Sequence, residues 1–151
     1  MKRFTFTLEK VLKLRKFREE QTKIELGQAI GVLSGIENEL KMTAQAKKAA
    51  TQHRFSGVNA HTGSFASEAR PLEMQVWDNY INRLDKETEN LLVKAAEAEL
   101  RVEEKRTIYL DASRELKVME KLKEKREKEY RKEFFAAEIR EMDDQRAARN
   151  R

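Results

Sequence analysis

The feature that most constrains the fold is a stripe of apolar residues that recurs at alternating spacings of four and three. It consists of Trp77, Ile81, Leu84, Thr88, Leu91, Ala95, Ala98, Val102, Lys105, Tyr109, Ala112, Leu116 and Met119. Eleven of these thirteen residues are apolar, and such spacing keeps one face of a helix against a partner helix. A matching stripe in the first half of the chain consists of Thr22, Leu26, Ala29, Leu33, Ile36, Leu40 and Thr43. The two stripes predict an all-α fold in which two helices form a coiled coil.

Residues that interrupt helices cluster near the middle of the chain. Gly57 and Gly63 lie close together, and the only proline, Pro71, suits the first turn of a new helix. We predict helix one over about residues 7–54, a connection over about 55–70 and helix two over about 71–147. Together they would form a single coiled-coil domain over residues 1–151, an antiparallel hairpin with a longer second helix.

The predicted hairpin brings the two basic ends of the chain together. If the chain folds back about the middle of the connection, residue i lies near residue 126 minus i, and helix two has no partner beyond about Lys123. Residues 1–23 contain eight Lys and Arg against three Glu, and residues 114–151 contain thirteen basic against ten acidic residues. A concentrated positive charge of this kind favours an acidic or anionic partner.

The composition excludes several classes of protein. Charged residues make up 39% of the chain, against about a quarter in an ordinary globular domain, which favours a thin seam over a thick core. Cysteine is absent, and no stretch approaches the roughly 20 apolar residues of a membrane span. The basic N-terminus develops no apolar run, so we expect no signal peptide and a cytoplasmic protein.

The sequence offers no catalytic, cofactor-binding or metal-binding residues. The two histidines, His53 and His61, lie in or beside the predicted connection without cysteine or an acidic cluster around them, so solvent-exposed side chains are the preferred interpretation. No glycine-rich turn follows a strand, so no phosphate-binding loop is expected. We therefore expect a protein that is not an enzyme, needs no cofactor and acts by binding other proteins.

Aromatic residues near the predicted open end have two interpretations. Phe4, Phe6 and Phe17 either fold onto helix two or dock into a partner, and the sequence leaves both open. Phe134 and Phe135 lie in the predicted overhang, where no surface of the same chain would cover them. Exposed aromatic pairs usually mark contacts, so we expect these two to anchor a partner.

Trp77 and Tyr80 open the second helix near the connection, where packing and partner binding are both consistent with the sequence. Nucleic-acid binding is a weaker alternative, because glutamates interleave with the basic residues over 121–133. Binding of residues 4–18 to a membrane surface is a second weak alternative.

Three segments have patterns that occur together in one known family. They are Phe6-x-Leu8-x-x-Val11-Leu12-x-Leu14-Arg15-x-x-x-Glu19, Trp77-x-Asn79-Tyr80, and Glu115-Leu116-Lys117-x-Met119-Glu120-Lys121-Leu122-x-Glu124-Lys125-Arg126-x-x-x-Tyr130. In order, spacing and total length the chain resembles the flagellar export proteins called FliJ. The resemblance implies a soluble component of the flagellar type III export apparatus, similar to the two-helix central stalk of rotary ATPases.

The resemblance also implies partners. Family members insert the end with both termini into the ring of the export ATPase, promote its assembly and activity, and contact the cytoplasmic domain of the membrane export gate. Some bind export chaperones. The chain would then lie in the cytoplasm, peripheral to the inner membrane at the flagellar base and held there by its partners, with no role for nucleic acid.

The resemblance assigns residues 1–23 and 120–148 to the ATPase ring and the start of helix two to the gate. The expected ring contacts are Phe4, Phe6, Lys10, Lys13, Arg15, Lys123, Arg126, Tyr130, Phe134 and Phe135. The expected gate contacts are Trp77, Tyr80, Ile81 and Leu84. Where some family members have apolar residues this chain has Arg83 and Glu87, so Ile81 and Leu84 are expected to take their place.

Two other protein-binding functions remain consistent with the sequence. The first is the corresponding stalk protein of a virulence type III secretion system, which the sequence distinguishes poorly from a flagellar one. The second is a coiled-coil scaffold that forms homodimers through the overhang of its second helix.

Overall fold

A computed structural model describes residues 4–59 and 70–149 and contains two long helices. Helix α1 spans Glu9–Asn59, 51 residues, and helix α2 spans Arg70–Arg149, 80 residues. The helices pack against each other in antiparallel directions, and no strand is found in the described residues. This confirms the predicted all-α hairpin with a longer second helix.

The ends of the helices follow local sequence signals, with one exception. The amide of Glu9 donates to the Phe6 carbonyl at 3.1 Å, and the Glu9 carboxylate lies in the first turn of α1, where the helix dipole favours negative charge. Pro71 lies in the first turn of α2, where its missing N–H costs nothing. Gly57 does not end α1, which continues to Asn59 rather than to the predicted residue 54, because a single glycine costs a helix only about 1 kcal/mol.

The register of the hairpin differs from the prediction by more than one helical turn. Glu9 pairs with Lys123 at 2.8 Å and Arg54 pairs with Asp78 at 2.8 Å, so the numbers of paired residues add up to 132 rather than 126. The later end of α1 moves the point of folding toward the C-terminus and accounts for most of the shift. The pairing of α2 with α1 still ends near Lys123, as predicted, because Lys123 pairs with Glu9, the first residue of α1, although Phe4, which precedes α1, contacts α2 further on at Tyr130.

The chain divides into two compact units. The terminal unit consists of Met1–Ile24 and Thr107–Arg151, and the middle unit is Glu25–Arg106. The buried residues of the terminal unit are Thr22, Ala112 and Met119. The buried residues of the middle unit are Thr43, Ala50, Leu84, Leu91, Ala98 and Val102. All but Ala50 belong to the two stripes, so the core of each unit is a seam between two helices.

Polar residues within the seam are satisfied locally. The hydroxyls of Thr22 and Thr43 each donate at 2.9 Å to a carbonyl of their own helix, so they need no partner across the seam. Lys105, the charged residue of the α2 stripe, donates to the Glu25 carboxylate at 2.7 Å. Exposed pairs of this type contribute about 0–1 kcal/mol, so apolar burial supplies most of the stabilisation.

Neither α1 nor α2 contains a stretch that is both long and apolar enough to cross a bilayer.

Candidate functional site

An aromatic cluster in the terminal unit joins the start of the chain to α2. The Phe4 ring lies 5.5 Å from the Tyr130 ring, and the Tyr130 ring lies 6.3 Å from the Phe134 ring, in both cases between centroids. Phe4 therefore folds onto α2, as one of its two interpretations expected. Phe134 is half-buried in this cluster, whereas its neighbour Phe135 is 60% exposed.

A groove of about 430 Å³ lies beside this cluster. Residues 4–8 form one side of it, and α2 supplies Leu122, Arg126, Glu129, Tyr130 and Glu133 on the other. Phe6, half-buried, lines the groove together with Phe4. The groove thus combines an aromatic wall with charges of both signs.

The basic residues predicted to contact the ATPase ring fall into two groups. Arg15 pairs with Glu115 at 2.7 Å and Lys123 pairs with Glu9, so both hold α1 against α2. Lys10, Lys13 and Arg126 are exposed and have no ion-pair partner among the described residues. The second group is the one that can attract an acidic partner without breaking the hairpin.

The two units differ in net charge. The terminal unit contains 21 Lys and Arg against 14 Asp and Glu, a net charge of +7, and the middle unit contains 11 against 13, a net charge of −2. The positive charge of the chain is therefore concentrated in the unit that contains both termini. Such a field raises the rate at which an acidic surface is captured, and salt weakens it.

Two apolar residues outside the predicted site join Phe17 on the exposed side of α1. Leu14, Phe17 and Ile24 are each more than half exposed, because α2 covers the opposite side of α1. Of these three residues, only Phe17 was predicted from the sequence as a possible contact. Leu14 and Ile24 lie outside the apolar stripe of α1, and this could have indicated from the sequence that they are exposed.

A second groove, of about 790 Å³, lies in the middle unit around Trp77. The Trp77 ring stacks on His53, with centroids 5.6 Å apart and planes at 12°, and meets the edge of Tyr80 at 6.2 Å. The Arg83 guanidinium lies 5.6 Å from the centre of the Tyr80 ring. Small residues of α1 (Ala46, Ala49 and Ala50) leave room for the groove. It is apolar with a cation at its edge.

The residues that line this groove differ in part from the predicted gate contacts. Leu84 is only 6% exposed, packs in the seam and does not line the groove. Ile81 is half-buried and does not line the groove. His53 and Arg83 do line it, and the His53 side chain is exposed on α1.

Neither groove has the donor atoms of a metal site. Among residues 4–59 and 70–149, no three His, Cys, Asp or Glu side chains are grouped so that they could hold a metal ion. His61 lies outside the described residues.

Comparison with known proteins identifies one family. The family model of the flagellar FliJ protein matches residues 4–151, nearly the whole chain. No curated protein and no solved structure matches the chain significantly. The family is a non-enzymatic component of the flagellar export apparatus. Over this length the match is decisive: the chain belongs to the flagellar FliJ family.

Proposed function

We propose that this chain is a stalk-like component of the flagellar type III export apparatus that binds the export ATPase ring and promotes its assembly and activity. It also links the ring to the cytoplasmic domain of the membrane export gate, at the cytoplasmic side of the inner membrane. The observation that supports this function most directly is the family match over residues 4–151.

The terminal unit has the features expected of a ring-binding surface. It has a net charge of +7, and two of its exposed lysines, Lys10 and Lys13, lie near the exposed Leu14 and Phe17. An acidic partner would be attracted by the charge and held by the apolar contacts. The middle unit, at −2, lacks this attraction and offers the apolar groove around Trp77 for a different partner.

The first test measures ATP turnover by the purified flagellar export ATPase with and without this chain. We expect stimulation, and we expect Lys10→Glu/Lys13→Glu to bind the ATPase roughly tenfold more weakly at low salt, since reversing charges at an interface removes electrostatic attraction. The matched control is Lys41→Glu/Lys48→Glu, which makes the same change of charge at exposed positions of the middle unit.

Equal weakening by both double variants would mean that net charge alone matters and that the surface around Lys10 is not the contact. If the wild-type chain neither binds nor stimulates the ATPase, the stalk function is wrong. A concentration-dependent mass would then favour the homodimeric scaffold.

The second test concerns the gate. We expect Trp77→Ala to weaken binding to the purified cytoplasmic domain of the export gate by at least tenfold, since a large aromatic at the centre of a groove is a typical binding hot spot. Leu100→Ala is the control, because Leu100 is 68% exposed in the same unit and lies outside this groove. Circular dichroism checks that both variants keep their helix content. Unchanged gate binding by folded Trp77→Ala would contradict the assignment.

A further inference from the structure

The last part of α2 is a helix that the rest of the described chain does not cover. Every residue from Phe135 to Arg149 is exposed, although all of them are helical. An isolated helix of this length is marginal in water, but this one continues a helix that is packed up to Tyr130. The segment is therefore presented to solvent in a preformed helical conformation.

Three large apolar side chains form one stripe on this segment. Phe135, Ile139 and Met142 are 60%, 56% and 53% exposed and recur at spacings of four and three, which places them on one face of the helix. The Phe135 ring meets the edge of the Phe134 ring at 6.2 Å and so borders the aromatic cluster, whereas Ile139 and Met142 lie beyond it. Anchors at i, i+4 and i+7 are typical of a helix that binds in the groove of another protein.

Basic residues continue the same stripe on both sides of the apolar anchors. At spacings of three and four it reads Lys128, Arg131, Phe135, Ile139, Met142, Arg146 and Arg149. Five acidic residues of this region fall off the stripe: Glu129, Glu133, Glu141, Asp143 and Asp144. Glu138, three residues after Phe135 and four before Met142, lies at its edge. Helical geometry thus separates most of the charges that are interleaved in the sequence.

The basic residues at the two ends of the stripe differ in their partners. Lys128 and Arg131 each form an ion pair at 2.6 Å with a glutamate one turn earlier in α2. Arg146 and Arg149 have no ion-pair partner in the described part of the chain. These two arginines can therefore pair with an external carboxylate without giving up an internal one.

We infer that the face formed by Phe135, Ile139, Met142, Arg146 and Arg149 is a ligand helix for an apolar groove rimmed by carboxylates on the export ATPase. The inference rests on the proposed function and names the mode of binding at the terminal unit. A stripe only three apolar residues long suits a protein groove better than a membrane surface, which requires a broad apolar face. Because Arg146 and Arg149 are positively charged, the complementary rim of the partner's groove is expected to carry carboxylates.

The test compares the affinity of the full-length chain for the purified export ATPase with that of Phe135→Ala/Ile139→Ala/Met142→Ala. We expect binding to weaken roughly 30-fold or more, as truncating buried anchors does. Alanine is the best helix former, so the variant keeps its helix, and circular dichroism verifies this. Leu92→Ala/Val93→Ala/Leu100→Ala removes three equally exposed apolar side chains from the middle unit and should bind like wild type.

A second variant tests the carboxylate rim. We expect Arg146→Gln/Arg149→Gln to bind several-fold more weakly than wild type at low salt, with the difference shrinking as salt screens the interaction. If wild type and this double variant bind the ATPase with equal affinity at low salt, the inference of a carboxylate rim is wrong.

The remaining outcomes separate this inference from the proposed function. If wild type does not bind the ATPase, both fail. If wild type binds and the triple alanine variant binds equally well, the ligand helix alone is overturned. Co-sedimentation with phosphatidylglycerol vesicles addresses the membrane: loss of vesicle binding in the triple variant, with ATPase binding unchanged, would assign the face to lipid and overturn the protein groove.

Discussion

Replacing Leu91 by alanine is expected to destabilise the hairpin by about 2–3 kcal/mol, while the same replacement at Leu92 changes stability by less than about 0.5 kcal/mol. The two leucines are neighbours in α2, but Leu91 is 5% exposed in the seam and Leu92 is 55% exposed. Leu91→Ala therefore loses buried apolar surface and leaves a cavity, whereas Leu92→Ala loses little. The measurement is urea unfolding followed by helix content.

The pair of variants controls for everything except burial. Both remove the same atoms from the same turn of the same helix, and both gain the same small advantage in helix propensity. An equal loss of stability at the two positions would mean that Leu92 is also covered, for example in a homodimer. The expected loss of stability for Leu91→Ala is near the lower end of the range for buried leucines, because a two-helix seam lets neighbouring side chains relax into part of the cavity.

The pairing of the helices could be predicted from the sequence because the seam depends on residue periodicity alone. Leu84, Leu91, Ala98 and Val102 lie on the predicted α2 stripe, and all four are buried. Lys105 lies on the same stripe as an apparent error in the pattern, and its ion pair with Glu25 explains how a charged residue is accommodated there. Periodicity therefore identified the buried face, including its one charged position.

The register could not be predicted with the same accuracy. It depends on where α1 ends, and Gly57 within Ser56-Gly57-Val58-Asn59 suggested an end that helix propagation overrides. A shift of about one and a half turns keeps a stripe facing a stripe, so the apolar pattern tolerates it. It changes the specific pairs, however, and no composition argument predicts that Arg15 pairs with Glu115.

The candidate binding surfaces could likewise be predicted from the sequence only in part. Phe134 and Phe135 were both predicted to be uncovered in the overhang, but only Phe135 is exposed, and Phe134 beside it is half-buried against Tyr130. Which of two adjacent aromatics faces solvent depends on the helical phase at the end of the seam. His53 was predicted to lie beside the connection, and only the register of the two helices places its ring on Trp77. Contacts between residues far apart in the sequence were the part that required the structure.

Replacing Gly27, Gly31 and Gly35 by alanine together is expected to stabilise the chain by about 1.5–3 kcal/mol and to raise Tm by roughly 5–10 °C. Each glycine lies inside α1, and a Cβ at each position would have no neighbour within 4 Å apart from the adjoining residues and backbone of its own helix. None has a positive φ that an alanine would strain. The substitutions therefore reduce the backbone entropy of the unfolded chain at no cost in packing.

Ser34→Ala, at an exposed position between these glycines, provides the control and should change stability by less than about 0.5 kcal/mol. Thermal unfolding of the single, triple and control variants gives the comparison. Three roughly equal increments that add up in the triple variant would show that each glycine acts through the backbone alone, because residues without shared contacts behave additively. A loss of stability in any single variant would instead require that this face of α1 packs against something, and the open space found beside each glycine argues against it.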